Sequence, residues 1–256
     1  MSREFKSLVF EKRDRVAYLT LNRPHRLNAF DHPSKFDLQA ALGLIVEDPE
    51  IRVVAIKGAG RAFSTGVDLK DLSQGKIGPA NFRLWEECMR EIETMDKVVL
   101  CLMHGYALGG GLQLALACDL RIATPSCQMG LPAGQEGLVP GLSVWRLARY
   151  VGIGRARELA LWGEPVDGEA ALRIGLVNRL VSEAGMDAEF EAYVRTTVER
   201  ASQGMRFTKQ AISRAADMTF AEALDMYMDY QARGLESEDL AEAMAAYREK
   251  RKPVWR

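Results

Sequence analysis

The sequence has little of what marks most specialised classes of protein. Its three histidines, His25, His32 and His104, stand in no HxH or HExxH spacing, and its four cysteines, Cys88, Cys101, Cys118 and Cys127, form no CxxC pair. No zinc or iron site is expected from that pattern, and a reducing, cytoplasmic setting is. Basic excess is missing too: 34 Lys and Arg against 35 Asp and Glu leave a formal charge of -1. That balance gives no footprint for holding DNA or RNA through its phosphates. The longest apolar stretch, about Val98 to Ala117, is broken by His104, Gln113 and several glycines, so no bilayer span is expected. The opening MSREFKSLVFEKRDR is charged where a signal peptide would be apolar. There is no Walker A sequence, and Gly152-Ile-Gly154 follows a helical stretch and lacks the third glycine of a dinucleotide loop. Ser64 in FSTG and Ser143 in PGLSVW lack the GxSxG elbow of a serine hydrolase.

What is present is an ordinary globular balance over 256 residues, 48% hydrophobic and 27% charged. A chain of this length buries about three quarters of its unfolded surface without staples. Through about Gly141, short runs rich in branched residues alternate with glycine loops and helical pieces. Val16–Leu21, Val53–Lys57, Val98–Met103 and Leu120–Ala123 read as strands. One helix is expected after Pro33, capped by Ser34 and running through FDLQAALGLIVED. A second is expected over NFRLWEECMREIETM, where Phe82, Trp85, Met89 and Ile92 recur at helical spacing. Strand, strand, helix in repetition implies stacked ββα units. From about Trp145 the pattern is nearly all helical, with glycines 152, 163 and 175 at C-terminal cap positions. FAEALDMYMDYQARGL carries a Met/Tyr stripe suited to packing on the core or on a neighbouring subunit. With no linker between the halves, the expectation is one continuous α/β fold, a core over residues 1–195 and a helical lobe over 196–256.

Two segments carry the chemistry. In Gly105-Tyr-Ala-Leu-Gly109-Gly110-Gly111-Leu-Gln113 a strand runs into three glycines and then an apolar helix. Glycines let backbone N–H groups approach a ligand, and a helix N-terminus adds unpaired donors and a dipole that favours negative charge. Arg61-Ala-Phe-Ser-Thr-Gly66-Val67-Asp68-Leu69-Lys70 repeats the plan, with Asp68 placed to cap. Each segment alone is also compatible with a tight turn. Together they are able to supply two N–H groups to one oxygen, each donor of that kind being worth about 2.7–4 kcal/mol of transition-state stabilisation.

LNRPHRLNAF (21–30), GAGRAFSTGVDLK (58–70), HGYALGGGLQLALACDLRIAT (104–124), GLVPG (137–141) and the ending AAYREKRKPVWR together resemble the signature blocks of the crotonase, or enoyl-CoA hydratase/isomerase, superfamily. The resemblance covers essentially the whole chain. It implies a spiral of ββα repeats with a C-terminal helical trimerisation lobe, assembled as trimers or dimers of trimers. It also implies an acyl-CoA thioester as substrate, with coenzyme A entering as part of that substrate and no other cofactor, metal, nucleic acid or membrane partner. The oxyanion donors fall on the amides of Val67 and Gly110. Regions matching CoA contacts are the loop Arg23–Asn28, with Arg26 as diphosphate partner, and the segment Ala62, Phe63 and Ser64. Gly66, Asp68, Leu69 and Gly109 flank the donors, and Lys250 or Arg251 is placed to meet CoA phosphates across a subunit boundary.

The resemblance also marks departures. Hydratases of the superfamily carry a glutamate where this chain has Gln113, and another after the proline of a GxPE block that here reads Gly130-Leu-Pro132-Ala133. An amide does not titrate near neutral pH, and Ala133 supplies only space. Glu136 is the candidate replacement for proton transfer, expected to be partly buried beside the thioester. Trp85, Glu86 and Glu87 are reachable from the preceding helix. Gln113 with LPAGQEGLVPG resembles the cofactor-free dihydroxyphenylacetyl-CoA dioxygenase subgroup, whose long N-terminal helical extension is not matched here, and implies a bulky or aromatic acyl group. The alternatives to lyase or isomerase chemistry are oxygenation or hydrolysis of such a thioester, or a silent acyl-CoA-binding protein.

Overall fold

The computed structural model describes residues 2–200 and 202–255. The N-terminal strands β1 (Ser2–Glu4), β2 (Leu8–Arg13) and β3 (Val16–Leu21) pair antiparallel in sequence order. Asp14 turns the β2–β3 hairpin with a left-handed backbone, φ 50°, as the twist of such two-residue loops demands. β4 (Val53–Gly58), β5 (Val98–Met103), β7 (Leu120–Ala123) and the two-residue β9 (Arg179–Leu180) then add in parallel, giving a seven-stranded sheet ordered β1-β2-β3-β4-β5-β7-β9.

Every residue of β5 is buried, as parallel strands covered on both faces require, which is why VVLCLM and the first four residues of β4, VVAI, read as apolar runs. Their side chains still alternate. Val54, Ile56, Val99, Cys101 and Met103 join the larger core cluster, while Val53, Ala55, Val98, Leu100 and Leu102 join the smaller one. The larger cluster is completed by α1 (His32–Glu47), α3 (Pro79–Thr94), α4 (Gly110–Ala117) and α5 (Ser143–Leu161). The smaller is closed by Phe190 and Val194 of α7 (Met186–Val198).

A second, small layer runs beside the large sheet and makes the ββα repeat explicit. β6 (Tyr106–Leu108) pairs in parallel with β8 (Gln128–Gly130), Ser64 bridges Ala107, and Phe30 bridges Val67. Thus each of β3, β4, β5 and β7 leads to a short extended segment in this layer, and after the first three the chain enters α1, the short α2 (Leu69–Ser73) or α4. The ends of the short segments lie side by side, and the site forms there.

Two local expectations change. Asp31, not Ser34, caps α1: Asp31 Oδ1 accepts the Ser34 N–H at 3.0 Å, and Ser34 Oγ accepts the Asp31 N–H at 3.3 Å, a reciprocal capping box. Gly152 interrupts α5 as expected of a punctuating glycine, but with an extended ψ of 159° at φ 76°, so two helical pieces meet there at a kink and not at a left-handed cap. Glycines 163 and 175 adopt the expected left-handed positions after α5 and α6 (Gly168–Arg173).

The C-terminal part holds α8 (Gln203–Ala215), α9 (Phe220–Leu235) and α10 (Glu238–Glu249). Phe207 and Tyr230 stack at 5.1 Å between α8 and α9. α8 is tied to the core by Lys209, which donates to the Ile92 and Lys97 carbonyls at 2.8 and 2.7 Å and pairs with Asp119 at 2.9 Å. Phe220, Leu224, Tyr227 and Met228 of α9 are exposed on one helical face. Among the described residues no helix is long and apolar enough to cross a membrane, and all four cysteines are buried free thiols.

Candidate active site

The two glycine segments meet through their backbones. Gly111 packs so closely on the loop before α2 that a Cβ there would stand 2.3 Å from the Ser64 carbonyl oxygen. Gly66, at φ 89°, has the Gly110 nitrogen and the Leu108 oxygen each 2.7 Å from where its Cβ would be. No side chain fits at either place, so the glycines are there to let the two loops touch. Ser64 holds its turn from inside: its hydroxyl donates to the Asn28 carbonyl at 2.8 Å and accepts the Gly66 N–H at 3.1 Å. Asn28, left-handed at φ 55°, accepts from the Arg23 amide and donates to the Ala59 and Ala62 carbonyls at 2.9 and 2.8 Å. These bonds lock the loop 23–28 to the 59–66 loop.

Among the described residues, neither the Val67 amide nor the Gly110 amide donates to any protein acceptor. Both residues line one cavity of about 410 Å³, a volume within the ordinary range for small-molecule sites. Gly109, whose own N–H is taken by the Gly130 carbonyl at 2.9 Å, precedes α4 with φ 49°, leaving Gly110 as the first helical residue with its N–H unused.

Gln113 follows one turn along α4 and is 8% exposed. Its Oε1 accepts the indole N–H of Trp85 at 2.9 Å. Because an indole N–H only donates, this bond fixes which end of the amide is which: the carbonyl is engaged by Trp85, and the NH2 is the other end. Phe30, tilted against Trp85 at 51° with ring centroids 4.5 Å apart, stands beside Gly110, with Cδ2 3.6 Å from where a Gly110 Cβ would be. Asp68 caps α2 by accepting the Lys70 N–H at 3.1 Å and is held by Arg23 at 3.4 Å; Arg23 also pairs with Asp31 at 2.9 Å. The opposite rim, residues 138–141, is anchored through Glu86, which accepts the Leu142 N–H at 2.8 Å and pairs with buried Arg146 at 2.6 Å. Glu93 holds the other edge of that guanidinium at 2.6 Å.

The structure thus brings Val67, Gly110, Gln113, Glu136, Arg26, Asp68, Leu69, Gly109 and Ala133 to one cavity. Glu136 is exposed, not partly buried: residues 132–136 form a 3-10 turn, closed by left-handed Gly137, that carries its side chain outward to the mouth. Arg26 is exposed at the rim beside Lys70. Ala62, Phe63 and Ser64 are fully buried behind the wall, and Gly66 acts through backbone contact; none of the four lines the cavity. Lys250 is exposed at the left-handed C-terminal cap of α10 and does not line it either. Of the helix candidates, Trp85 is in the wall, Glu86 is structural and Glu87 faces solvent.

Of the lining residues that the reading of the sequence did not single out, one is ionisable and fully buried. Lys35 of α1 is 1% exposed, and its Nζ has no hydrogen-bond partner among the described residues. The signal was its place on the buried stripe Lys35, Leu38, Leu42, Ile45, where a lysine replaces an apolar residue. Burial lowers its pKa from 10.5 to about 8.

Two unpaired loop amides at one open-mouthed cavity in a ββα spiral are the geometry at hand, and comparison with known proteins gives the family. The sequence profile of the enoyl-CoA hydratase/isomerase family matches residues 11–256. The short-chain-enoyl-CoA hydratase of Clostridium acetobutylicum is 32% identical over 253 residues, covering 97% of each chain. Crystal structures of enoyl-CoA hydratases from Bacillus anthracis and Mycobacterium smegmatis both superpose with TM-scores of 0.91, at 28% and 29% identity; each covers 98% of this chain and 99% of the other. The chain belongs to the enoyl-CoA hydratase/isomerase family: it has the crotonase fold and is an acyl-CoA-processing enzyme.

Proposed function

We propose that the Val67 and Gly110 amides bind the thioester carbonyl of an acyl-CoA and stabilise the enolate formed when its α-carbon loses a proton. The observation that carries this reading is the pair of unsatisfied N–H groups on two touching loops at one cavity. Preorganised donors of this kind act where charge develops and need no rearrangement. Exposed Arg26 and Lys70 at the rim suit the CoA phosphates, and the reading requires no cofactor beyond the CoA of the substrate.

The proton-transfer groups differ from those of a two-glutamate hydratase. With its carbonyl held by Trp85, Gln113 offers N–H donors to the cavity, so it binds an acceptor oxygen and is no base. Asp68 is occupied as a cap and by Arg23, which leaves Glu136 as the lining carboxylate without such duties among the described residues. We assign proton transfer to Glu136 acting from the mouth. The aromatic wall of Phe30, Phe82 and Trp85 favours a bulky acyl group. The exposed face of Phe220, Leu224, Tyr227 and Met228 supports association into trimers or dimers of trimers. The free buried thiols agree with a cytoplasmic setting.

A CoA thioester and its thioether analogue, which lacks the carbonyl oxygen, separate this reading from binding through CoA alone. Calorimetry is expected to give about tenfold or more tighter binding of the thioester, the worth of two hydrogen bonds to one oxygen. Equal affinities would count against the oxyanion site.

A further inference from the structure

We infer that Lys35 recognises an acid group on the acyl chain, so that the natural substrate is the CoA monothioester of a dicarboxylic acid. This inference rests on the acyl-CoA reading above and extends it to the far end of the acyl group.

The geometry begins with an unmatched charge. Lys35 is 1% exposed, yet it lines the cavity and its Nζ meets no acceptor. Its nearest described partner is the face of Phe82, 5.0 Å from Nζ to the ring centroid, which replaces only part of the lost hydration of an ammonium. Among the described residues no carboxylate compensates it: Asp68 and Glu136 are the lining acids, the first held by Arg23 and the second exposed. Burial alone depresses its pKa, and at about 8 the group is still mostly protonated near neutrality. A buried cation with three free donors is a costly thing to keep in an apolar wall, and the complement that removes the cost is an anion with acceptor oxygens brought in by the ligand.

Position says which part of the ligand that is. Gln113 lies one turn from Gly110, Trp85 is bonded to Gln113, and Phe82 precedes Trp85 by one turn on the same face of α3. Lys35 sits over Phe82. The sequence of contacts leads from the oxyanion amides past the aromatic pair to the ammonium, so Lys35 addresses the acyl end opposite the CoA. Arg26 and Lys70, the cations at the rim, are left for the phosphates.

Matched pairs of saturated CoA thioesters test this: succinyl against butyryl, glutaryl against valeryl, adipyl against hexanoyl. The full-length protein is titrated with each by calorimetry, alongside the Lys35→Met and Lys35→Arg variants. The inference expects the carboxylate member of at least one pair to bind wild type about tenfold or more tighter, a charge-assisted bond being worth that much. Lys35→Met should reduce the ratio to about twofold or invert it, with Lys35→Arg retaining part of it. Wild type that shows no preference in any pair overturns the inference, and so does a preference that survives Lys35→Met. Binding of all the apolar thioesters without selectivity would leave the acyl-CoA reading standing while this one falls; no thioester binding at all would sink both.

Discussion

The indole of Trp85 donates to the side-chain carbonyl of Gln113 at 2.9 Å, joining α3 to α4 inside the wall of the cavity. That bond engages the amide carbonyl, so the donor role proposed for Gln113 depends on it. Trp85→Phe keeps the ring but removes the N–H. The variant should lose about 1–3 kcal/mol of stability from the orphaned buried carbonyl, and its turnover should fall by tenfold or more as the amide becomes free to rotate. Thermal unfolding and kcat/KM measured on the same preparation check both; unchanged kcat/KM with a lowered Tm would mean that the bond is structural only.

Gly66 is where the two donor loops touch. Gly66→Ala puts a methyl 2.7 Å from the Gly110 nitrogen at φ 89°, a backbone conformation alanine rarely adopts. The loops must part, and the amides lose their common target. Turnover should drop by roughly 100-fold or more, the usual consequence of losing an oxyanion donor. Binding of free CoA, followed by calorimetry, should change far less.

Lys35 gives stability a pH dependence of known direction. The unfolded lysine titrates near 10.5 and the folded one at about 8, because burial disfavours its charge. Between those values the unfolded chain holds a proton that the folded protein has released, so this group makes stability rise with pH from about 8 to 10.5. Below about pH 8 the folded protein carries the full cost of the buried ammonium. Lys35→Met should therefore raise Tm at pH 7, by roughly 3 °C or more, and flatten that alkaline rise. Denaturation curves at pH 7, 9 and 10.5 are the measurement, and a lower Tm at pH 7 would contradict the assignment of an uncompensated charge.

Arg146 is buried between Glu86 and Glu93, with bonds of 2.6 Å to each. Their hydrogen bonds and charges more than offset the burial, and its pKa is raised. Glu86→Ala removes one partner and also the acceptor of the Leu142 N–H. A loss of about 2–4 kcal/mol is expected from the half-paired guanidinium, and the loosened 138–141 rim should raise KM for the acyl-CoA.

Much of this was legible in the chain. GAGRAFSTGVDLK and HGYALGGGLQ encode loops that must pack backbone on backbone, and the absence of side chains at Gly66, Gly109, Gly110 and Gly111 is visible without coordinates. The branched apolar runs of β4 and β5 were readable as strands, and both are strands of the large sheet. The three-residue β6 and β8 and the single bridges Phe30–Val67 and Ser64–Ala107 carry no period that a sequence can display, because tertiary packing alone makes them strands. Glu136 is exposed where partial burial was expected, because whether the 132–136 turn points in or out depends on Gly137 and on the Leu138 N–H bonding back to Ala133. The sequence displays the burial of Lys35 only through its register with Leu38, Leu42 and Ile45.

The most direct test of the oxyanion site follows the α-protons of a saturated acyl-CoA in D2O. Enolate stabilisation by the Val67 and Gly110 amides predicts that the enzyme washes deuterium into the α-position at a rate far above the buffer background, and that Gly66→Ala abolishes the exchange. A thioester that binds the wild-type protein tightly with no α-exchange over background would contradict the account.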